Sequence, residues 1–517
     1  MKNFIVYRKR KNSHAQAQRR REIAQQELCV FSATLRFCVL LFLLARSLFA
    51  QGNGGALTFQ GIDHYSLHSA ASRAMGGVTI GVKQDAGLMF QNPAALHSIT
   101  GMQAALGGLW FSQDLEQEQN YAPVRYYSNL SLLLEGLTAR IPNPDTMLVG
   151  FTAQDTVQRP YDNIGPNWSR SKNHSKPLQA LLAMPFSLGK IKMVAGIGAV
   201  NYADLNHYYQ NNNVLSPNIL SQRPLPTLRP GDDNPLPVNW SQTSRSRAGS
   251  LQGYGIALAG SVMKNVSLGF SGMILDGSSD DVEQEVARGS LTFYSNAFRA
   301  DSIYRRITKT GTSDFSGTEF TLSSILTGRF VSVGFSIKPP ATITRNYSMQ
   351  VATDTTGTPA LSTIQGEDEL RLSWRGRLGL ALTPKENLTL GLEYEFRPYD
   401  SAKYRDASGV EISPWLSTSL FRIGAEYRIA SWLALRGGMR GEAEVFEPEG
   451  NQIEGEPVTY TVYSAGVGIT QSALHLSVTY ENALMKYQDI WASAISKNRE
   501  RRHTFVAQLS YEIPWQH

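Results

Sequence analysis

Beyond residue 100 the chain alternates hydrophobic and polar residues with a period of two. From Leu370 to Leu382 the even positions read Leu370, Leu372, Trp374, Gly376, Leu378, Leu380 and Leu382, while the odd ones include Arg371, Arg375 and Arg377. After a turn at Pro384-Lys385-Glu386-Asn387 the code resumes. Leu388, Leu390, Leu392, Tyr394 and Phe396 then oppose Thr389, Gly391, Glu393, Glu395 and Arg397. Phe421 to Ile429 repeats it against Arg422, Glu426 and Arg428, Leu433 to Met439 against Arg436 and Arg440, and Leu474 to Tyr480 against His475 and Glu481. Period two marks strands whose faces meet different surroundings. Soluble strands usually run ~5–6 residues, whereas a tilted strand crossing a bilayer needs ~9–11, and these runs match the longer class. Lipid exposure also explains why charge keeps to one parity, because Arg or Lys at the bilayer midplane costs ~2–4 kcal/mol.

The connections alternate in length. Short ones are predicted near Pro142 to Asp145, Ser187 to Lys190, Met263 to Asn265, Leu326 to Arg329, Pro384 to Asn387, Ala430 to Trp432 and Gln471 to Ala473, with long polar ones between them, as at Tyr202 to Ala248 and Leu275 to Asp314. Short periplasmic turns facing long outer loops are the asymmetry of an outer-membrane barrel. The predicted fold is all-β, a transmembrane antiparallel barrel of about 14–16 strands running from Met102 to Trp515. Sixteen is the direct count. The last strand alternates Phe505, Ala507, Leu509, Tyr511, Ile513 and Trp515, and looks like the C-terminal signal read by the barrel-insertion machinery.

Two segments precede the alternation. Residues 1–50 hold ten of the 49 Lys/Arg and two of the 43 Asp/Glu, leaving 39 basic and 41 acidic residues from Gln51 onward. The basic pI therefore belongs to the leader, and nucleic-acid binding loses its support. That leader joins a basic stretch, a short apolar core at Phe37 to Ala45 and a small residue at Ala50, the parts of a secretory signal. Both cysteines, Cys29 and Cys38, lie within it, so the exported chain is predicted to be free of thiol chemistry. Residues 51–101 do not alternate and are rich in small residues, as in Ser69-Ala70-Ala71-Ser72 and Asp85-Ala86-Gly87-Leu88-Met89-Phe90-Gln91-Asn92-Pro93-Ala94-Ala95. A segment of this length and composition is predicted to pack inside the barrel as a hatch, with residues 102–517 forming the wall.

An Asp-Ala pair ahead of Asn92-Pro93-Ala94, just before the first strand, resembles the N-terminal hatch of the FadL/TodX family of outer-membrane transporters for long-chain fatty acids and aromatic hydrocarbons. Gly334-Phe335-Ser336-Ile337-Lys338-Pro339-Pro340, Leu378-Gly379-Leu380-Ala381, Leu388 to Tyr394, Arg422 to Tyr427 and Leu435 to Gly438 extend the resemblance over most of residues 60 to 515. It implies a hatch-closed barrel in the outer membrane, among lipid and lipopolysaccharide, that captures an apolar ligand near the outer loops and releases it sideways through the wall. Asp85, Asn92, Pro93 and Ala94 carry the hatch motif. The family barrel has fourteen strands, which makes the hairpin from Asn129 to Asp155 the predicted extra piece. PorV-type barrels of the type IX secretion apparatus share the barrel and a similar hatch segment, so a secretion shuttle stays open beside a lipid transporter, and a general porin beside both.

Candidate chemistry is sparse. Lumen-parity charges on adjacent strands are predicted to form a salt-bridged wall, and a ligand carboxylate would be clamped by Arg375 or Arg377, since guanidinium binds carboxylate through two hydrogen bonds. Trp110, Tyr126, Tyr127, Trp168, Trp415 and Tyr463 read mainly as interfacial girdle residues. Asp280, Asp281 and Glu283 read as a solvated acidic turn. No hydrolase elbow, zincin, P-loop or zinc spacing occurs, so neither catalysis nor a cofactor is expected.

Overall fold

The structure is a computed structural model. It describes residues 57–64, 66–120, 167–189, 191–216, 236–293, 298–301, 305–355, 357–451, 455–490 and 495–513. The leader, the hairpin from Asn129 to Asp155, Tyr126, Tyr127 and Trp515 lie outside these residues.

The strands are β1 (Met102–Asn120), β2 (Trp168–Leu188), β3 (Ile191–Asp204), β4 (His207–Ser216), β5 (Leu236–Met263), β6 (Val266–Phe293), β7 (Phe298–Asp301), β8 (Arg306–Thr327), β9 (Val331–Lys338) and β10 (Ala341–Asp354). They continue as β11 (Ala360–Leu372), β12 (Arg375–Lys385), β13 (Leu388–Arg397), β14 (Lys403–Arg405), β15 (Glu411–Ile412), β16 (Thr418–Ala430), β17 (Leu433–Ala443), β18 (Thr459–Gln471), β19 (Leu474–Ile490) and β20 (Ile495–Ile513). β3 with β4, β9 with β10, and β11 with β12 each act as one bent wall strand, while β7, β14 and β15 are short additions at the long-connection end. Fourteen wall strands result, each antiparallel to its neighbours. The barrel closes where β1 pairs with β20, from Met102↔Ile513 to Asn120↔Ile495. Fourteen is the lower end of the range expected from the alternation. The first strand starts at Met102 as predicted, and the described short turns fall where the sequence placed them.

The burial pattern is that of a protein turned toward lipid. Leu378 is 59% exposed and Tyr394 47%, yet Glu393 and Arg422 are each 1% exposed. Such an arrangement needs hydrocarbon outside, and it is consistent with an outer-membrane location. No helix among the described residues is long and apolar enough to cross a membrane. Inside, the wall charges pair across neighbouring strands, Arg377 Nη2 to Glu395 2.8 Å, Arg422 Nη2 to Glu395 2.6 Å and Arg436 Nε to Glu426 2.8 Å, and Arg440 Nη1 of β17 reaches past β18 to Glu481 of β19 at 2.5 Å.

Two expectations fail, each for a local reason. The run from Leu370 to Leu382 is not one alternation. β11 ends at Leu372 and β12 starts at Arg375, and one extra residue at this break, with Leu372 and Ser373 buried in succession, reverses the faces: Leu370 and Leu372 point inward, and Arg371 points outward. Its neighbour reverses at the same height, where Pro339 and Pro340 separate β9 from β10 and supply no N–H for pairing. Below the double break the outer face carries Val333 and Phe335; above it, Thr342, Asn346 and Ser348. The long polar connections are also mostly strand. β5 and β6 have 28 residues each, about 95 Å at ~3.4 Å per residue, so they stand well beyond a ~30 Å hydrocarbon core. Asp281 accordingly sits within a strand, fully buried, rather than in a solvated turn.

Residues 57–64 and 66–101 lie inside the wall. They hold a short helix α1 (Ala70–Ala74) and 3-10 turns at Ala86–Leu88 and Pro93–Ser98. Small residues suit this segment because the wall approaches it closely. A Cβ on Gly269 would come 2.1 Å from the Ala94 nitrogen, and one on Gly424 would come 2.2 Å from the Met75 oxygen.

Candidate functional site

Four anchors seat the hatch segment. At its start, Arg247 Nη1 donates to the Thr58 oxygen (2.9 Å) and Arg345 Nη1 to the Leu57 oxygen (2.7 Å). Asp281 holds both arginines, accepting from Arg247 Nε at 2.7 Å and Arg345 Nη2 at 3.2 Å. Mid-segment, one oxygen of Glu393 accepts from Thr79 N (2.6 Å), Thr79 Oγ1 (2.8 Å) and Ile80 N (2.7 Å). Arg73 bridges to Glu481 of the wall at 2.6 Å. Near the end, Ala94 N donates to Ser323 Oγ at 2.7 Å.

The residues of the predicted hatch motif occupy joints in this arrangement. Asp85 caps the turn at Ala86–Leu88 by accepting from Gly87 N (2.8 Å), and it also accepts from Ser69 Oγ and from Gln508 Nε2 of β20 (2.7 Å). Gln508 in turn accepts from Ala70 N at 2.9 Å, so one wall residue ties two hatch limbs together. Asn92 precedes the turn at Pro93–Ser98, and its Nδ2 donates to Thr79 Oγ1 at 3.2 Å. Pro93 occupies the first helical position, where its missing N–H costs nothing. All four residues are buried in the seated segment.

Above this floor lies a chamber of about 330 Å³. Hatch residues Gly61, Asp63, His64, Phe90 and Gln91 form part of its lining. Toward the long-connection end it is aromatic: Trp168 meets Tyr208 at 5.3 Å between ring centroids, and Phe446 meets Tyr487 at 5.4 Å. Trp168 and Trp415 thus face the interior, whereas Trp110 and Tyr463 face outward as girdle residues do. Arg375 and Arg377 both line the chamber, and both are already paired. Arg375 meets Glu319, which also binds Lys338 and accepts from Tyr202 OH at 2.7 Å; Arg377 meets Glu395. They act here as parts of the salt-bridged wall.

Sequence reading passed over a cluster at the chamber margin. His64 Nε2 lies 2.9 Å from Glu444 Oε2 and 3.2 Å from Asp63 Oδ2. Burial opposes charge on His64, but the two carboxylates outweigh it and hold the imidazolium well above its usual range. His68 is the reverse case. Burial dominates there, and its pKa falls to about 4 although its Nε2 meets the Asn201 oxygen at 3.0 Å.

A second feature notches the wall. β1 and β2 slip register where Gly107 pairs with Gln179 but Gly108 pairs with Pro177. The resulting notch is lined by outward residues Trp110, Phe505 and Ala507 and by inward residues Leu109, Lys176 and Val506. Leu109 and Lys176 also line the chamber. These two side chains border both spaces.

No protein-family model matches the chain, and no curated protein matches its sequence. Solved structures match its shape. A Pseudomonas aeruginosa FadL homologue superposes with a TM-score of 0.53 at 13% identity, over 86% of this chain and 98% of its own. The chain has the fold of that transporter group. The P. putida toluene transporter TodX gives 0.53 at 12% identity over 87% of this chain and 100% of its own, and the CymD monoaromatic hydrocarbon channel gives 0.51 at 12% over 87% and 98%. Identities this low establish the shared barrel and leave ligand and residue roles to be argued from this chain.

Proposed function

We propose that this protein is an outer-membrane transporter for passive uptake of hydrophobic small molecules such as long-chain fatty acids or aromatic hydrocarbons. Residues 1–50 act as the export leader, residues 51–101 as the hatch and residues 102–517 as the barrel, inserted among lipid and lipopolysaccharide after passage through the periplasm. A ligand enters between the outer aromatics, rests on the hatch and leaves sideways at the Gly108–Pro177 notch. The observation carrying this reading is that chamber and notch share Leu109 and Lys176 while the segment ahead of β1 packs inside the wall. An apolar solute gains ~25 cal/mol for each Å² removed from water, so an aromatic vestibule that opens toward lipid favours inward movement without an energy source. A seated hatch disfavours the general porin. A secretion shuttle would instead carry proteins, and would show as co-purified secreted cargo.

Uptake of labelled oleate and toluene by proteoliposomes tests the proposal. Saturable uptake above empty vesicles is expected, and Ala507→Trp, which fills the notch from outside, should slow uptake while leaving ligand binding intact. Uptake equal to empty vesicles for both ligands would sink the transporter reading; unchanged uptake by Ala507→Trp would sink the lateral exit.

A further inference from the structure

Asp63 and His64 belong to the hatch, and Glu444 follows β17, so the three meet across 380 positions of sequence. Their ligand atoms all lie within 4.8 Å of one another. The two nitrogen-to-oxygen separations, 2.9 and 3.2 Å, are close to the edges of a coordination polyhedron with bonds of about 2.0–2.2 Å, the range for zinc with imidazole and carboxylate. Both carboxylates are buried and converge on His64 Nε2, so a metal ion on that nitrogen would take the place of the proton that otherwise bridges them. The nearby arginines make their shortest bonds elsewhere: Arg397 Nε binds Glu395 at 2.8 Å, and Arg502 binds Glu500 and Tyr460 and reaches Glu444 only at 3.6 Å. An independent observation points the same way. Glu444 Oε1 is buried and accepts no hydrogen bond among the described residues; its nearest cation is Arg502 Nη2 at 3.6 Å.

We propose that Asp63, His64 and Glu444 bind one divalent transition-metal ion, with zinc the best fit. A single imidazole beside two carboxylates selects zinc-like ions over calcium or magnesium, which prefer all-oxygen sites. All three residues line the chamber, which leaves a coordination position open to water. The ion ties the start of the hatch to the segment beyond β17, and this role is independent of what the chamber transports.

The test uses tag-free full-length protein in detergent, stripped with EDTA, then titrated with Co²⁺ by visible absorption and with Zn²⁺ by calorimetry. One saturable equivalent per chain is expected, with cobalt bands of a low-coordinate histidine-containing site and a higher unfolding temperature with zinc than with EDTA. His64→Ala and Glu444→Gln should each weaken binding by about a hundredfold or more, whereas Glu442→Gln, whose partner is Arg440, should not. Absence of saturable binding by the wild-type chain overturns the proposal without recourse to any variant. Stoichiometric binding that survives in both His64→Ala and Glu444→Gln, each confirmed as folded by heat-modifiable electrophoretic mobility, also overturns it.

Discussion

Truncating Glu393 should unseat the hatch while leaving the barrel folded. Its Oε1 accepts three hydrogen bonds from Thr79 and Ile80, two of them from backbone N–H groups that have no water to turn to. Bonds to a charged acceptor are worth ~1.5–3 kcal/mol each; three sharing one oxygen sum to less than three times that, so Glu393→Ala should cost hatch seating about 3–5 kcal/mol. Arg377 and Arg422 lie 3.8 and 3.9 Å from the other oxygen, and both keep their shorter bonds to Glu395, so the wall retains its pairing. A loss of 3 kcal/mol raises the unseated population roughly a hundredfold. The assay is thiol labelling of Ala95→Cys, a buried hatch position, in a background lacking Cys29 and Cys38. Its rate follows the unseated fraction when reseating is fast. Glu393→Gln keeps a carbonyl acceptor and should fall between. Labelling of Glu393→Ala at the parent rate, with barrel mobility intact, would refute the reasoning.

Other perturbations separate the remaining anchors. Gly424→Val drives a side chain into the Met75 carbonyl, and overpacking of about 1–3 kcal/mol should appear as faster Ala95→Cys labelling. Asp281→Asn leaves Arg247 and Arg345 buried without their shared counter-charge, a loss of about 3–5 kcal/mol that should lower the urea midpoint. His68 is buried neutral, so the folded chain binds fewer protons there than the unfolded one. Stability should therefore fall as pH drops from about 6.5 through 4, by up to roughly 3 kcal/mol, and a His68→Gln chain should lose that slope in urea titrations between pH 7 and 4.

The wall was legible because lipid outside and charge inside impose one code on every residue of a spanning strand. Leu388 to Arg397 obeys it throughout, and the turns at Pro384 to Asn387 and Gln471 to Ala473 interrupt it cleanly. Ser373-Trp374 was not legible, since each flanking run still alternates and the reversal is visible only from burial. Beyond the membrane the code weakens, and Arg245 and Arg247, alternating with Ser244 and Ser246, were the one trace that β5 continued through a supposed loop. The non-alternating segment ahead of β1 was readable as a change of composition, but the way it packs against the wall was not. Wall glycines such as Gly424 and Gly438 sit in the family-like motifs because hatch backbone presses against them. The Asp63–His64–Glu444 cluster had no local signal, as its members are brought together only by the closed barrel.

The double break at Pro339-Pro340 and Ser373-Trp374 acts as a draught mark on the hull. Below it the outer face carries grease; above it the outer face turns polar, while Ile343, Leu370 and Leu372 turn inward to pack with Phe59 and Phe315. A wall whose outer face changes character at one height floats at one depth only, because a shift of a single strand residue, about 3.4 Å, would carry Thr342 into hydrocarbon or lift Phe335 and Leu378 toward water. The vertical position of the notch relative to the lipid surface is thereby set by the wall itself, with no need of a partner to hold it.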